Sequence, residues 1–481
     1  MIKLKNFIGG EFCEPQSGTY LDNFEPATGQ VYSQLPDSNE LDVVLAVQRA
    51  NKAFVSWSAL KAEERAGFLY RIADLIEENL EALAAAESRD VGKPLALARS
   101  LDIPRAAHNF RFFAGRILHH QEASTYQEGH SLNYTLRQPV GVAGLISPWN
   151  LPLYLLTWKI APALACGNTV VCKPSEVTPM TAFLLAELMQ KADLPQGVCN
   201  IIFGRGEVAG RTLVEHPAVP LISFTGGTAT GAKIAQAAAP HFKKLGLELG
   251  GKNANIVLKD ANLKKAVETS LRSSFLNQGQ ICLCGSRIYV QQDIYDQFME
   301  SFVAGAEALV VGDPRDEKTF MGPLVSAEHL AKVKGAIDQA VSEGGKVLAG
   351  GVQPKDLPSE MAQGYFLRPT VVADLSQCSE IHQEEIFGPV VTVQPFKYAH
   401  EAVKWANTSS YGLAASLWTQ NLTQAHKLAG QIQAGTVWVN TWMNRDLRMP
   451  FGGMKASGLG REGGDYSIDF YTEQKTVCVG L

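Results

Sequence analysis

The chain has 481 residues, 46% of them hydrophobic and 19% charged, and a formal net charge of −5. That length exceeds the roughly 250–300 residues over which one core grows, so two or more domains are expected. The acidic balance speaks against a nucleic-acid partner, which would select a basic surface, and no apolar run reaches the ~18–20 residues that span a membrane.

The N-terminal MIKLKNFIGGEF has two lysines but no apolar core of signal-peptide length. The C-terminal TVCVGL carries no address motif, so a cytoplasmic location is expected. Eight cysteines stand at 13, 166, 172, 199, 282, 284, 378 and 478. They are scattered, which is not a disulfide framework. Cys282-Leu283-Cys284 is C-x-C with no second pair at finger spacing, so no metal is expected.

In chain order, the first forty residues read as short strands and turns, with Gly9-Gly10 and Ala27-Thr28-Gly29 as turn chemistry. Residues 39–93 become helical. Val43, Val44, Val47, Ala50 and Phe54 recur every three to four residues, and Ser38 and Asn39 are candidate N-caps. A second helical run covers about 94–120. In 131–140, Leu132, Tyr134 and Leu136 alternate with polar residues, as in a strand or hairpin arm. From 141 to 257, β-branched runs (GVAGLIS, NTVVCKP, CNIIF, LISFTG, NANIVL) alternate with helical stretches at 181–191 and 231–239. A second such series runs from 270 to about 440, through RIYVQ, KVLAGG, TVVAD, PVVTVQPF, AASLWT and TVWVN. This alternation predicts an α/β fold built of βαβ units, in two domains that meet near Gly250-Gly251. The C-terminal segment alternates again and predicts a last strand.

The stretch 275–287 (FLNQGQICLCGSR) sets Cys282 in a polar, Gly-containing segment. Upstream stands Leu247-Glu248-Leu249-Gly250-Gly251-Lys252. A thiol that can be deprotonated and a carboxylate that can act as base are the minimum parts of covalent thiol catalysis. A lone Cys is more often a small buried hydrophobe, and a lone Glu is usually a solvated surface group. Together, in these two contexts, they resemble the signature of the NAD(P)-dependent aldehyde dehydrogenase superfamily, and the resemblance covers nearly the whole chain.

The resemblance implies two Rossmann-like α/β domains plus a small β arm for oligomerisation. The NAD-binding domain would take 1–118 and 139–249, the catalytic domain 250–452, and the arm 119–138 and 465–481. A homodimer or homotetramer is the implied assembly. In the family the pyrophosphate of NAD sits at a strand-to-helix turn, here Ser223-Phe224-Thr225-Gly226-Gly227-Thr228, where free N–H groups and a helix N-terminus suit a phosphate. Gly227 stands where many relatives carry Ser. Gly204-Arg205-Gly206-Glu207-Val208-Ala209-Gly210 resembles a dinucleotide fingerprint, but in the family this loop is mainly structural, with Gly206 beside the cofactor. Lys173 and Glu176 of Lys173-Pro174-Ser175-Glu176 would hold the adenosine ribose, and the carboxylate favours NAD over NADP. Ile146, Ser147, Pro148, Trp149, Ser175 and Gly250 complete the implied cofactor wall. Glu385 and Phe387 of Glu385-Ile386-Phe387-Gly388-Pro389 would lie at the nicotinamide end, and Leu194-Pro195 to Asn200 is a further matching motif.

For the chemistry, the resemblance implies Cys282 as nucleophile, Glu248 as the base that activates water, and Asn150 as oxyanion donor with the Cys282 N–H. Lys159 is a candidate for tuning the site, and Cys284 reads as a packing thiol. Relatives that pass the acyl group to CoA lack the general-base Glu, so Glu248 favours hydrolysis. The segment 439–453 (VNTWMNRDLRMPFGG) matches the family's substrate wall, with Trp158 and Phe451 as further wall residues. Relatives acting on apolar aldehydes often place an aromatic residue where Arg445 stands. Asp102-Ile103-Pro104-Arg105 also resembles the branch that includes 2-aminomuconic and 2-hydroxymuconic 6-semialdehyde dehydrogenases. Those substrates are small carboxylated aldehydes, and an Arg fork matches a carboxylate. Arg445 and Arg105 are the expected clamp, with Arg448 and Arg111 as lesser candidates. The alternatives are oxidation of another aldehyde, such as betaine aldehyde or succinic semialdehyde, and a catalytically silent relative, against which the intact Cys282, Glu248 and Asn150 speak.

Overall fold

The computed structural model describes all 481 residues. Five segments pair as parallel strands at the centre of an eight-stranded sheet, the first four in the chain each followed by a turn and a helix. Their spatial order is Lys244–Glu248, Leu221–Thr225, Val142–Ile146, Thr169–Lys173 and Cys199–Ile201. Val142–Ile146 comes first in the chain but lies in the middle. The connections run outward from it in both directions, and such a switch point opens a crevice at the carboxyl ends of the strands. The hairpin Asn6–Ile8 and Glu11–Cys13 closes one edge, and the short strand Gly458–Leu459 closes the other.

A second sheet has seven strands, in the order Lys346–Ala349, Thr370–Ala373, Val390–Phe396, Arg287–Gln291, Ala254–Val257, Ala414–Trp418 and Thr436–Val439. All but the first run parallel. The fold is thus α/β with two mainly parallel sheets, as the alternation of segments predicts. Ala254–Val257 belongs to the second sheet, so the chain crosses between sheets in residues 249–253. Lys244–Glu248 is a full strand without a β-branched residue, broken by Gly246 and opened by Lys244, so the sequence does not announce it. A separate antiparallel sheet joins Ser124–Gln127, Ser131–Pro139 and Thr472–Gly480. The C-terminal strand begins only at Thr472. Before it, Gly464–Phe470 is helical, and Ile468 and Tyr471 pack into the core of the first sheet.

Local chemistry explains the helix positions that matter most. Glu40–Ala59 starts from a capping box, in which Asn39 Oδ1 accepts from the N–H groups of Leu41 and Asp42 while Asp42 Oδ2 accepts from the Asn39 N–H. Pro152–Ala165 is apolar on nearly every face and is accordingly buried in the largest cluster. The run expected over 94–120 is not one regular helix. Leu95–Leu97 passes into a π-helical turn, Ala98–Asp102, before the α-helix Ile103–Leu118.

The segment before Cys282 is tightly turned. Asn277, Gln278 and Gly279 have φ of 52°, 58° and 70° in succession. A Cβ on Gly279 would overlap the carbonyl oxygen of Gly388. Gly279→Ala therefore combines a left-handed backbone, at about 1–2 kcal/mol, with a backbone clash. Thermal unfolding of this variant should show a midpoint several degrees below wild type, and an unchanged midpoint would contradict the packing described here.

Candidate active site

The carboxyl ends of the first sheet gather most of the expected residues. Ile146 ends its strand and leads into Ser147, Pro148, Trp149 and the buried Asn150. Asn150 Nδ2 donates to the carbonyl of Gln280 (2.8 Å), and Asn277 Nδ2 donates back to the Asn150 carbonyl (3.1 Å). These two bonds fasten the first-sheet turn to the left-handed loop that carries Cys282. One N–H of the Asn150 amide is then held, and the other is left to point elsewhere. Asn253, a residue the motif reading did not single out, secures the far side. Its Nδ2 donates to the carbonyls of Cys282 (2.7 Å) and Cys284 (2.9 Å), and its Oδ1 accepts from Ala414 N–H (3.0 Å).

Cys282 is half-buried, whereas Cys284 is buried. Burial and the carboxylates of Glu385 and Glu248 push the Cys282 thiol up, and Arg445 pulls it down. Burial and the Glu385 carboxylate push Cys284 to about 12, and its buried place in an apolar cluster is that of a packing thiol. Glu248 ends the strand Lys244–Glu248 and is buried, with Oε2 lacking any hydrogen-bond partner. Burial and the nearby Glu462 push its carboxyl well above the usual range, while Lys159, Arg445 and Arg461 oppose them. Lys159 is buried and donates to Ser223 Oγ (2.9 Å) and Glu462 Oε1 (3.2 Å). Glu462 also accepts from Trp158 Nε1 (2.7 Å). Glu462 lies far along the chain from any of these partners and has no motif of its own, which is why the sequence gives it no prominence.

Lys173 and Glu176 pair at 2.6 Å at the end of the next strand, beside Ser175 and the exposed Gly206. Burial raises the Glu176 carboxyl, but Lys173 outweighs it and the net shift is downward. The turn after Leu221–Thr225 packs Phe224 under Gly226, where a Cβ would overlap the ring. Gly227 then precedes a helix whose first residue, Thr228, has a buried hydroxyl without a partner. Ser147 Oγ is likewise buried and unpartnered. Uncapped N–H groups at a helix start, two orphaned hydroxyls and a carboxylate at a strand end form a surface suited to the phosphates and ribose of a dinucleotide.

Glu385 meets the crossing between the sheets. It accepts from Gly251 N–H (2.9 Å), and a Cβ on Gly250 would overlap its other oxygen, so a larger residue there would push the Glu385 carboxylate aside. Burial pushes Glu385 to about 7. Phe387 has φ of 62° and meets Trp149 edge-on at 5.3 Å. His329, also absent from the expected set, contacts Trp149 at 5.1 Å and bonds the Phe387 carbonyl through Nε2 (2.8 Å). By contrast, Asn200 turns away from this surface. It lies within the strand Cys199–Ile201, and its side chain bonds the backbone of Gly9, Val170 and Gly197. The motif around it builds a turn, and the structure gives it no place beside the other cofactor candidates.

Two arginines converge on one aromatic wall. The guanidinium of Arg105 lies 5.5 Å from the Trp158 ring and 5.0 Å from Tyr154. That of Arg445 lies 5.7 Å from Trp158 and 3.6 Å from Phe451. Arg105 Nε is held by Asn109 Oδ1 (3.0 Å), but its Nη2 is buried without a partner. Burial lowers the Arg105 pKa, Tyr154 opposes this, and the Arg445 cation adds to it. The lesser candidates are occupied. Arg111 pairs with Asp74 and Glu77, and Arg448 with Asp446, all at the surface. Asp446 is thus paired by Arg448 and not by its neighbour Arg445.

Comparison with known proteins identifies the family. The aldehyde dehydrogenase family model matches residues 12–477. A 2-aminomuconic semialdehyde dehydrogenase of Bos taurus is 52% identical over 100% of this chain and 98% of its own length. A 2-hydroxymuconic semialdehyde dehydrogenase of Pseudomonas sp. (strain CF600) is 47% identical over the full length of both. Among solved structures, PnpE from Pseudomonas sp. WBC-3 is 44% identical with a TM-score of 0.97, over 100% of this chain and 98% of that one. PnpE is also known in complex with nicotinamide adenine dinucleotide, again with a TM-score of 0.97. On the strength of its sequence match and its fold, the chain belongs to the aldehyde dehydrogenase family.

Proposed function

We propose that this protein oxidises a carboxylated, unsaturated semialdehyde of the 2-aminomuconate or 2-hydroxymuconate 6-semialdehyde type to the acid, with NAD as oxidant. The observation that carries the substrate reading is the pair Arg105 and Arg445. Two cations without acidic partners, against one aromatic wall and with Arg445 close enough to lower the pKa of Arg105, make a site for an anion. The names of the relatives at 43–52% identity support the same class.

When bound, NAD accepts the hydride from the substrate carbon. The residues of the chain do the rest. Cys282, ionised, attacks the aldehyde carbon. The free N–H of Asn150 and the Cys282 backbone N–H stabilise the oxyanion. Loss of hydride leaves a thioester on Cys282, which Glu248 resolves by taking a proton from the attacking water, so that the acid departs and the thiolate returns. The thiol needs help to ionise in this setting. Arg445 supplies one positive charge, and a cationic nicotinamide ring near Glu385 and Phe387 would supply another.

Glu176 carries the cofactor preference. Its depressed pKa keeps it ionised, and an ionised carboxylate at the ribose repels a 2′-phosphate. The three sheets support a division into a cofactor domain (1–118 and 139–249), a catalytic domain (250–452) and an arm (119–138 and 465–481). Both outer strands of the arm are largely exposed, as are Tyr126, Leu132, Leu136 and Val479. Unpaired edges with apolar side chains favour pairing with a second copy, as in a homodimer or homotetramer.

Cys282→Ser should nearly abolish NADH formation while leaving NAD binding, followed by fluorescence quenching, intact. Glu248→Ala should instead give a burst of NADH followed by stalled turnover, with an acyl adduct on Cys282 visible by mass spectrometry. Steady turnover without adduct would place the base elsewhere.

Wild type should prefer NAD over NADP, and Glu176→Gln should narrow the ratio of kcat/KM values. Equal use of both cofactors by wild type would show that Glu176 does not set the choice.

Arg105→Ala and Arg445→Ala should each raise KM for a carboxylated semialdehyde. A hydrogen bond to a charged group contributes about 1.5–3 kcal/mol, or about 10–150-fold in affinity. KM for a neutral aldehyde of similar length should change little, and Arg445→Lys should also be impaired because a point charge does not replace a fork. Arg445→Ala carries a second signature. The Arg445 cation lowers the pKa of Glu248, so its removal raises that pKa further. Glu248 must be ionised to act as base, so the acid limb of the deacylation rate should move to higher pH. An unmoved limb would mean that Arg445 lies too far from Glu248 to be felt.

A further inference from the structure

Beneath the aromatic wall lies a charged cluster that the chemistry above does not use. Lys93, Glu87 and Asp102 are all fully buried. Lys93 Nζ donates to Asp102 Oδ2 at 2.8 Å and lies 3.7 Å from Glu87 Oε1. Glu87 Oε2 accepts from the Leu153 N–H (3.4 Å), at the start of the helix that carries Tyr154, Trp158 and Lys159. Asp102 closes the π-helical turn Ala98–Asp102, where the Ile103 N–H reaches back to the Ala98 carbonyl. Arg105 follows three residues later. A turn widened by one residue rotates everything after it by about 100° around the helix axis. The π turn therefore decides which side chain of the following helix faces Trp158. Asn109, one turn further on, holds Arg105 Nε and bonds Tyr154 O and Thr157 Oγ1 (both 3.1 Å), which locks the two helices in that phase.

Such a cluster is a poor device for stability alone. A buried ion pair is often replaced by apolar side chains at no loss, and here Asp102 Oδ1 and Glu87 Oε1 lack hydrogen-bond partners altogether. Its value lies in direction: a charge-assisted bond fixes one geometry where apolar packing tolerates several. We propose that Lys93 and Asp102, braced by Glu87, are positioning residues for substrate specificity, which hold the π turn so that Arg105 meets the distal carboxylate. This rests on the reading of Arg105 as a carboxylate ligand.

The experiment compares Arg105→Ala, Asp102→Asn, Lys93→Gln and the double variant Arg105→Ala/Asp102→Asn on two substrates, a carboxylated semialdehyde and a neutral aldehyde of similar length. Asp102→Asn and Lys93→Gln should each raise KM for the carboxylated substrate about tenfold, as for one weakened charged hydrogen bond. Their kcat and their KM for the neutral aldehyde should stay near wild type. Adding Asp102→Asn to Arg105→Ala should cost nothing more on the carboxylated substrate. If Arg105→Ala itself fails to separate the two substrates, the carboxylate reading falls and this inference with it. If Arg105→Ala separates them while Asp102→Asn and Lys93→Gln lower activity on both alike, or yield no folded, NAD-binding protein, the cluster serves the fold and only the positioning role is overturned.

Discussion

A carboxylate buried without a hydrogen-bond partner costs about 1–3 kcal/mol or more, and in water-poor surroundings it tends to hold its proton. Glu248 is in that position, and the neighbouring groups are arranged around it. It ends a strand of the first sheet, Lys159 reaches it from the helix Pro152–Ala165, and Arg445, Arg461 and Glu462 come from the C-terminal loop. Three cations and a second carboxylate set its proton affinity. Their convergence requires the C-terminal chain to fold back onto the first sheet, which the short strand Gly458–Leu459 does by pairing with Leu247 and Glu248 themselves. The base and the loop that tunes it are thus joined by backbone hydrogen bonds.

The crossing between the sheets is constrained from the other side. Glu385 fills the space a Cβ would need at Gly250, and the Cys282 carbonyl stands 3.0 Å from a Cβ placed on Gly251. Gly250-Gly251 lets the nucleophile loop, the strand end with Glu248 and the Glu385 carboxylate approach one another closely. The left-handed run Asn277 to Gly279 is the counterpart on the Cys282 side, and its strain is met by the bonds of Asn277 and Gln280 to neighbouring backbone.

What the sequence makes legible follows from this. The buried parallel strands announce themselves as β-branched runs between turns, so Val142–Ile146 and Arg287–Gln291 are readable from composition alone. Lys244–Glu248 is not, because its residues lack that composition and its last one serves the site. Cys282, Glu248 and Asn150 are visible because each sits in a motif with its own local chemistry. Asn253, His329 and Glu462 act through partners 29 to 304 residues away. No local pattern records such a pairing. The π turn at Ala98–Asp102 is similarly hard to read, since Pro104, just beyond it, removes a helical N–H without fixing whether the helix kinks, breaks or widens there.

The arginine pair proposed as the anion site is balanced without a carboxylate of the chain. Burial and the Arg445 charge both lower the pKa of Arg105, and neither cation has an acidic partner. Arg445 lies face-on to Phe451, and Arg105 rests between Tyr154 and Trp158. Cation–π contacts of this kind return about 0.5–2 kcal/mol each and leave the N–H edges unspent. The same Arg445 field lowers the pKa of both Cys282 and Glu248. An anion held against Arg445 weakens that field at both groups at once. It makes the thiol harder to ionise and Glu248 a stronger base, so the charge at the far end of a substrate bears on the balance between attack and hydrolysis as well as on binding.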